Sequence, residues 1–570
     1  MYSNKKKVDT FFVNAKIVNV FTEEIIEQNV AVKNGYVIGF FDDADIYDAA
    51  KKIDLNGMYM VPGLIDSHVH IESSMTTPDN FAKAVLACGT TTCIADPHEI
   101  ANVAGLEGIE YMIDSAKNTP MNILFALPSF VPATHMETCG ASLDVTQLKK
   151  MINHPKIVAL AEMMNYPGVI FKGSDVMEKI KLAKDARKPI DGHAPNVTGR
   201  DLEAYIQTGI LSDHECTNSS EAIEKLRLGM HIMIREGTCA KNLDDLFPVI
   251  SEKTYNRVMW CTDDRHPEDI LSHGHIDHIV RKAIIKGLDP VRAIKMGSLN
   301  PANYFNIHDV GAIAPGRRAD FIVMDNLKEF KVKQVFVKGV LVNDKGTAIK
   351  KNNIRKICHP SIMNIKKQDV DFSIAVKDKD DFQIRVIQAI PDQVVTREII
   401  VIPKQENGFL VSDTERDILK IAVVERYSGN ARTGKGFVTG INLKKGAIAS
   451  SVAHDSHNII VVGTNDIDMM CAFEKIVDMK GGFSVAKDAK ILESLDLPVA
   501  GLMSDKSLKD VDNDMKRILK AVRLLGSDLT DPFMTLGFLA LPVIPQLKIT
   551  DHGIIDVNKF EIVDLFIKNK

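Results

Sequence analysis

The sequence contains no Cys-x-x-Cys pair, although it has eight cysteines among its 570 residues. Such scattered cysteines are typical of reduced thiols in a cytosol, and they argue against a disulfide framework or a structural zinc site. No uninterrupted apolar run reaches membrane-spanning length. The N-terminus also lacks the apolar core of a signal peptide. We therefore expect a cytoplasmic protein.

The chain also lacks a strong excess of either charge. A net charge of −5 gives no electrostatic basis for binding nucleic acid or an anionic membrane. An apolar content of 45% and a charged content of 25% are typical of a soluble globular protein. Because 570 residues exceed one ordinary core, two or three domains are expected.

From about residue 64 to residue 300, short β-rich runs alternate with segments of helical periodicity. The predicted strands are 64–70, 90–96, 122–128, 156–162, 188–193, 209–214, 230–235 and 257–263. Helical spacing occurs at 79–88, 105–117, 173–184, 218–228 and 240–252. Eight such units predict a (β/α)8 barrel of the TIM type over residues 63–304. A doubly wound open sheet is the alternative, because counting strands does not exclude it.

The regions on either side of the barrel have other patterns. Short alternating runs predict that residues 1–62 and 305–365 pack together as one small β-sandwich domain. Residues 366–570 mix strand and helix patterns, and they predict a separate C-terminal α/β domain. Within it, strands are predicted near 398–402 and 458–463 and helices at 466–478 and 511–525.

His68 and His70 end the first predicted strand. Because residues i and i+2 of a strand point to the same face, both imidazoles can meet at its carboxyl end. In a barrel, ligands bind at that end of the strands. The other strand ends, taken in chain order, add Glu162, His193, His214 and Asp263.

These four imidazoles and two carboxylates exceed the ligand needs of one open tetrahedral ion. They fit two divalent ions bridged by a carboxylate and a hydroxide. Any one of the six could instead be a hydrogen-bonded side chain at the barrel rim, but chance rarely gives all six in this order. Manganese, iron and zinc all suit such ligands, and Mn²⁺ or Fe²⁺ is our expectation.

Several segments resemble the amidohydrolase superfamily. They are Pro62-Gly-Leu-Ile-Asp-Ser-His-Val-His, Thr262-Asp263, and Asn300-Pro-Ala with Gly311-x-Ile-x-Pro-Gly-Arg-Arg-Ala-Asp-Phe. Within it, the chain is most similar to bacterial and archaeal adenine deaminases, over essentially its whole length. This second resemblance rests on Ala95-Asp-Pro-His-Glu-Ile-Ala-Asn-Val, Asp191-Gly-His-Ala-Pro, Ser212-Asp-His-Glu-Cys-Thr and Ser450-Ser-Val-Ala-His-Asp-Ser-His-Asn.

The resemblance implies hydrolysis of adenine to hypoxanthine and ammonia in purine salvage, by a metal-bridged hydroxide that attacks C6. Asp263 is expected to take the proton of the attacking hydroxide and later to pass a proton to the departing ammonia. Glu162 stands where many binuclear relatives have a carboxylated lysine, and it is expected to bridge the metals and to protonate N1. We also expect a homodimer.

Asp96, His98 and Glu99 follow strand 2, and we predict that they contact the substrate or orient the metal ligands. A loop hydrogen-bonding role is the alternative. Weaker site candidates are His135, Glu137, Asp264, Arg265 and His266, with Asp264 as the fallback for Asp263. For His454, Asp455 and His457, a pocket lid, a second metal site and a polar loop all remain open. We predict that His273, His275 and His278 are mainly surface or helix-capping residues.

Two other functions remain open. A cyclic-amide hydrolase of the dihydroorotase or hydantoinase kind would use a similar barrel, although the absence of the strand-4 lysine argues against it. A non-catalytic scaffold would typically have lost metal ligands, whereas all six are present. The unrelated cytidine-deaminase fold is excluded, because it needs His-x-Glu together with Pro-Cys-x-x-Cys.

Overall fold

The computed structural model describes residues 6–43, 46–348, 360, 362–376, 382–391 and 393–568. The chain begins with β1 (Lys6–Asn19), β2 (Glu24–Lys33), β3 (Tyr36–Phe41), β4 (Tyr47–Asp54) and β5 (Tyr59–Pro62). β1, β2 and β3 pair antiparallel in that order, whereas β4 and β5 run parallel to β1. The alternating patterns of the N-terminal flank therefore do form strands.

Eight parallel strands follow, at the positions predicted from the sequence. They are β6 (Leu64–His70), β7 (Thr90–Ala95), β8 (Asn122–Leu127), β9 (Ile157–Met163), β10 (Ile190–Gly192), β11 (Ser212–Asp213), β12 (His231–Arg235) and β13 (Val258–Cys261), which β14 (Asp263–Asp264) continues. The hydrogen-bonded orders are β10-β9-β8-β7-β6-β14 and β11-β12-β13. The last strand thus lies beside the first. This consecutive order differs from that of a doubly wound sheet, which reverses at a switch point.

β10 and β11 are linked by hydrogen bonds that involve their side chains. Ser212 Oγ donates a hydrogen bond to Asp191 Oδ1 at 2.7 Å, and the Ala194 amide donates to Asp213 Oδ1 at 2.8 Å. Apolar side chains from six of the eight strands meet in one buried cluster, which includes Ile65, Ile94, Leu124, Ala159, Met233 and Met259. The strands therefore surround a packed core, and their polar side chains gather at the carboxyl ends.

Helices lie between these strands and after the last of them. Those between the strands are α1 (Pro78–Ala87), α2 (His98–Ala116), α3 (Val145–Met151), α4 (Tyr166–Ile170), α5 (Ser174–Asp185), α6 (Gly199–Gln207), α7 (Ser219–Arg227) and α8 (Leu243–Leu246), and those that follow the last strand are α9 (Pro267–Ser272), α10 (Ile276–Ile285), α11 (Pro290–Met296) and α12 (Leu299–Tyr304). Short 3₁₀ helices lie at Ile71–Ser74, Phe247–Val249 and Tyr255–Arg257.

Two predicted helix boundaries were wrong. α2 starts at His98, upstream of the predicted start at residue 105. Gly105, with φ of 58°, has non-helical dihedral angles and forms a kink inside this helix. The helix predicted at 240–252 is only α8 followed by the 3₁₀ turn that starts at Phe247. Pro248 lies in that turn, and proline lacks the N–H that a continuing α-helix would use.

The chain then returns to the first sheet with β15 (Phe321–Met324), β16 (Gln334–Val337), β17 (Val340–Asp344) and β18 (Thr347–Ala348). β15 pairs antiparallel with β5, so both flanks of the barrel share one nine-stranded sheet. Its core includes Phe12, whose ring lies 4.9 Å from Phe321 and 5.2 Å from Phe336. Aromatic contacts between residues far apart in sequence thus hold the two flanks together.

The C-terminal region forms a second nine-stranded sheet, a hairpin and a three-stranded sheet. Its elements are β19 (Phe382–Ala389), β20 (Thr396–Val401), β21 (Lys404–Glu406), β22 (Phe409–Val411), β23 (Leu419–Val424), β24 (Thr433–Thr439), β25 (Ala447–Ser450), β26 (Ile459–Gly463), α13 (Asp466–Asp478), β27 (Gly482–Lys487), β28 (Lys490–Asp496), α14 (Leu508–Leu525), α15 (Pro532–Leu539), β29 (Leu547–Thr550), β30 (Gly553–Asp556), β31 (Glu561–Val563) and β32 (Phe566–Lys568), with a 3₁₀ turn at Lys367–Asp369. Among the described residues, no helix is long and apolar enough to cross a membrane.

The C-terminal region packs on loops at the carboxyl ends of the barrel strands. After β8, the amide and hydroxyl of Thr138 donate to Asp551 at 2.9 and 2.7 Å, and Asn458 Nδ2 donates to the Thr138 carbonyl at 2.8 Å. After β6, the Met75 carbonyl accepts a hydrogen bond from the Ser504 amide at 2.8 Å. The C-terminal region therefore contacts loops at the carboxyl ends of the parallel strands, where the polar residues converge.

Candidate metal centre

β6 brings His68 and His70 to the carboxyl end of the barrel strands. His68 Nδ1 lies 2.8 Å from Asp191 Oδ2, and His70 Nδ1 lies 3.1 Å from the Asp96 carbonyl oxygen. Because both neighbours are acceptors, each Nδ1 donates a hydrogen bond to its neighbour, which leaves the Nε2 atom of each ring facing the cluster. The two Nε2 atoms are only 3.1 Å apart. Two imidazole nitrogens at this distance need either a shared proton or a metal ion between them.

Glu162, near the end of β9, lies between two groups of histidines. Its Oε1 is 3.5 Å from His70 Nε2, whereas its Oε2 is 2.5 Å from His193 Nδ1 and 3.2 Å from His214 Nε2. His193 and His214 directly follow β10 and β11. Each carboxylate oxygen therefore faces a different imidazole group, as a bridging ligand must.

Asp263 completes the first group from the start of β14. Its Oδ1 lies 3.1 Å from His70 Nε2 and 3.7 Å from His68 Nε2, while its Oδ2 accepts a hydrogen bond from Arg235 Nη1 at 2.8 Å. The structure thus brings all six residues predicted as metal ligands into one cluster, with only oxygen and nitrogen donors. This donor set fits divalent ions such as manganese, iron and zinc.

The electrostatics of the cluster favour bound cations. Burial alone would raise the pKa of Glu162 and of Asp263. Ion pairing with His193 lowers the pKa of Glu162 well below its usual range, and His70 together with Arg235 does the same for Asp263. Although burial opposes it, the neighbouring carboxylates raise the pKa of His70 and His214 well above its usual range. Divalent ions would replace these protons, so metal binding should release protons.

Three residues that the sequence analysis did not propose also belong to this site. Arg235, at the end of β12, donates to both oxygens of Glu215 as well as to Asp263. Asp191, in β10, accepts from His68 and lies 3.7 Å from His214 Nδ1. All three stand at the ends of barrel strands or directly after one. Reading every charged residue at or beside the predicted strand ends, in addition to the six candidate ligands, would have found them.

Asp96 and His98 border the cluster on the side of β7. His98 Nδ1 is 3.4 Å from Asp96 Oδ2 and 3.6 Å from Glu162 Oε1. His98 and Glu99 form the first turn of α2 rather than the loop considered above. These residues therefore lie beside the proposed bridging carboxylate, as a role in substrate contact or ligand orientation requires.

The C-terminal region reaches this side of the site through the 453–457 loop, residues Ala453 to His457. His454 Nδ1 lies 2.6 Å from Glu99 Oε1, and His457 Nε2 contacts the other oxygen of Glu99. Asp455 Oδ1 lies 4.0 Å from His98 Nε2. A cavity with about 510 Å³ of empty volume, part of it open to solvent, lies at this junction and is lined by Glu72, Ser73, Glu99, His266, His454 and Asp531, among others.

Comparison with known proteins identifies the family of this chain. Residues 59–342 match the Amidohydrolase family, and residues 393–561 match the Adenine deaminase C-terminal domain. The adenine deaminase of Desulfatibacillum aliphaticivorans is 50% identical over 98% of this chain and 97% of its own length. This chain belongs to the adenine deaminase family of amidohydrolases.

Two further members of the family give the same result. The adenine deaminase of Kosmotoga olearia is 46% identical over 99% of this chain and 97% of its own length. Adenine deaminase 2 of Carboxydothermus hydrogenoformans is 44% identical over 98% of this chain and 97% of its own. The family resemblance thus extends through the C-terminal region as well as the barrel.

The side chains of the weaker candidates make hydrogen bonds, ion pairs and ring contacts with residues outside the six candidate ligands. His135 is exposed and contacts Phe560, with 5.6 Å between ring centres, and Glu137 Oε1 accepts from the Thr134 amide. Asp264 accepts a hydrogen bond from Ser73 Oγ. Arg265 Nε donates to the Gly274 carbonyl, and His266 lies 3.4 Å from Asp531.

His275 occupies the N-cap position of α10, as the helix-capping alternative predicted, but its side chain makes no capping hydrogen bond and the surface alternative was wrong. Its side chain is fully buried, with Nδ1 3.0 Å from Thr90 Oγ1 and Nε2 3.2 Å from Asp66 Oδ2. It therefore ties the first two barrel strands to α10. Its neighbour His273 is exposed, as predicted.

Proposed function

We propose that the protein is an adenine deaminase, which hydrolyses adenine to hypoxanthine and ammonia. Membership of the family supports this function. The observation that carries it is the complete set of six candidate ligands, with Glu162 lying between two groups of imidazoles. We further propose a role in purine salvage and a homodimeric assembly.

Two divalent ions fit these ligands. His68, His70, Glu162 and Asp263 would hold one ion, and Glu162, His193 and His214 would hold the other. When bound, such ions supply a nucleophile at neutral pH, because they lower the pKa of water from 15.7 towards roughly 7. Mn²⁺ and Fe²⁺ are the proposed ions, and the donor set also accepts Zn²⁺.

Asp263 and Glu162 have different proposed roles in proton transfer. Arg235 holds Asp263 Oδ2, so Oδ1 is the atom that faces the histidines and can take the proton of the nucleophile. Asp263 then passes a proton to the departing ammonia. Glu162 is proposed to deliver a proton to N1 of the adenine ring. Asp96, His98 and Glu99 are proposed to contact the substrate or orient these groups.

The eight parallel strands are proposed to close as a (β/α)8 barrel. The side-chain hydrogen bonds of Asp191, Ser212 and Asp213 would complete the closure between β10 and β11. The flanking sheet is proposed as one small β-domain, and residues 366–570 as a C-terminal α/β domain that covers the barrel mouth.

Ammonia release from adenine tests this function directly. Metal-free protein would be reconstituted separately with manganese, iron and zinc, and its metal content and turnover measured together. We expect about two ions per chain at full activity, and loss of turnover in His68→Ala and His193→Ala without unfolding. Hydrolysis of hydantoin or dihydroorotate in place of adenine would favour the cyclic-amide alternative, and activity that plateaus at one ion would exclude the binuclear centre.

A further inference from the structure

Asp96 is buried beside the metal centre without a hydrogen-bond partner for its carboxylate. The residue is 1% exposed, and neither Oδ1 nor Oδ2 has a partner among the described residues. Buried carboxylates are normally paired, because removing the charge from water is costly. His98 Nδ1 lies 3.4 Å from Oδ2 and is its ion-pair neighbour, but it makes no hydrogen bond to the carboxylate, so both oxygens are free to accept hydrogen bonds from a ligand.

The surroundings of Asp96 define what that ligand can be. His98 Nε2 lies 3.6 Å from Glu99 Oε1, and His98 Nδ1, also unpartnered, faces Asp96 and Glu162. Four side chains each place one nitrogen or oxygen atom within 4.8 Å of the others, and they are those of His70, Asp96, His98 and Glu162. This space suits one small group that donates several hydrogen bonds or carries positive charge.

We propose that Asp96 binds the exocyclic amino group of adenine and holds it as it departs as ammonia. The proposal rests on the deaminase function proposed above. Both carboxylate oxygens are acceptors, and the amino group offers two N–H donors. Asp96 lies close to Glu162. An amino group that is hydrogen-bonded to Asp96 would therefore remain next to the candidate metal centre, where C6 reacts.

The chemistry of the step fits such an acceptor. The oxygen of water forms a bond to C6, the C6–N6 bond breaks, and its electron pair leaves with nitrogen. That nitrogen takes up one proton and departs as NH₃, so adenine and water give hypoxanthine and ammonia. As nitrogen gains hydrogen, the number of N–H donors facing Asp96 rises from two to three. The interaction with Asp96 therefore strengthens along the reaction, as catalysis requires.

The test compares leaving groups. Chloride carries no N–H, so 6-chloropurine should not use Asp96. In Asp96→Asn and Asp96→Ser, we expect kcat/KM for adenine to fall about 100-fold, the effect typical of losing one aligned polar contact to a reacting group. For 6-chloropurine, kcat/KM of both variants should stay within about threefold of the wild-type kcat/KM. Metal content per chain should remain that of wild type.

A binding measurement tests the same contact without turnover. Purine lacks the 6-amino group, so its inhibition constant should be unchanged in the Asp96 variants, whereas adenine should lose its preference over purine. Asp468→Asn is the control, since Asp468 is a buried aspartate whose oxygens accept hydrogen bonds from the Ala489 amide and from Asn465 within the C-terminal region. It should keep the wild-type ratio of adenine to 6-chloropurine.

Two results would overturn the inference. The Asp96 variants could lose kcat/KM equally with adenine and 6-chloropurine and still bind adenine in preference to purine as the wild type does. That result would show that Asp96 has a structural role. Loss of one metal equivalent in the variants would show that Asp96 and His98 hold a metal ion instead. If the wild-type protein releases no ammonia from adenine, the deaminase function itself fails, and this outcome is distinct from both.

Discussion

At the scale of residues, Glu162 and Asp263 carry the same charge but differ in what their oxygens face. Both oxygens of Glu162 face imidazole nitrogens from different groups. Asp263 presents one oxygen to the histidines and the other to Arg235. A carboxylate that bridges two metal ions needs both of its oxygens free to bind them. A carboxylate that acts as a base needs one oxygen held in place and the other free to take a proton.

The corresponding amides should separate the two roles. Asp263→Asn should lower kcat by about 10²- to 10⁴-fold, because it removes the proposed base. Glu162→Gln should lose metal as well as rate, because an amide bridges two cations poorly. Metal analysis beside turnover distinguishes the variants, and Asp263→Asn should retain more metal. If Glu162→Gln keeps both ions and still deaminates adenine, Glu162 is no bridging ligand.

Arg235 is expected to position Asp263. Its guanidinium contacts Asp263 and both oxygens of Glu215, and its Nε donates to Asn242 at 2.9 Å. Arg235→Gln should cost about 10- to 100-fold in kcat, as is typical of groups that orient metal ligands. KM for adenine should change little. Arg235→Lys should recover part of the rate, and an unchanged kcat in the Gln variant would remove Arg235 from the mechanism.

At the scale of elements, the start of α2 and the 453–457 loop act as a unit. Glu99 lies in the first turn of α2, and its carboxylate contacts His454 and His457. His457 Nδ1 accepts from the Ala453 amide at 3.2 Å, so the proton lies on Nε2 and is donated to Glu99. Burial lowers the pKa of His457 to about 4, and it remains neutral. Of the two histidines of the 453–457 loop, His454 therefore carries the positive charge beside Glu99, and His98 adds to it from α2.

This ion pair should make the contact between loop and helix dependent on pH. Burial opposes protonation of His454, but Glu99 raises its pKa to about 9, and Asp264 and Asp455 add to the effect. The pKa of Glu99 is well below its usual range, so its charge persists. Because the folded pKa exceeds the ordinary value near 6.5, the stabilisation is complete below about pH 6.5 and is lost as pH rises through about 9.

Thermal melting of wild type and His454→Gln across this range checks the prediction. The wild type should be more stable at neutral pH, by an amount of the order of 3 kcal/mol. The difference should shrink as pH approaches about 10. A difference that is constant with pH would mean that His454 contributes by packing on Phe538, whose ring lies 4.8 Å away, rather than by charge.

At the scale of the whole molecule, the C-terminal region and the barrel share the candidate site. The 453–457 loop contacts Glu99 and approaches His98, and Asp551 binds the loop after β8. A chain that ends at residue 365 would leave these partners exposed and unpaired. We expect it to lose adenine deamination even when its barrel folds and binds metal. Normal turnover by such a chain would show that the C-terminal region does not help to form the pocket.

Local patterns determine much of this protein. Period-two and helical periodicities predict the eight parallel strands and seven of the fifteen α-helices of the described residues, because each of these elements buries its own apolar face. The candidate ligands are also readable, because His68 and His70 share a strand face and parallel strands place their carboxyl ends together.

Other features depend on the tertiary structure alone. Glu99 and His454 are separated by 355 residues, and nothing in either segment by itself indicates that they meet. The burial of His275 and the pairing of Arg235 with Asp263 likewise follow from how the strands and loops pack. Sequence periodicity determines which face of an element is buried. Which charged side chains share a buried space depends on contacts between distant segments, because a buried charge is stable only where the fold supplies its partner.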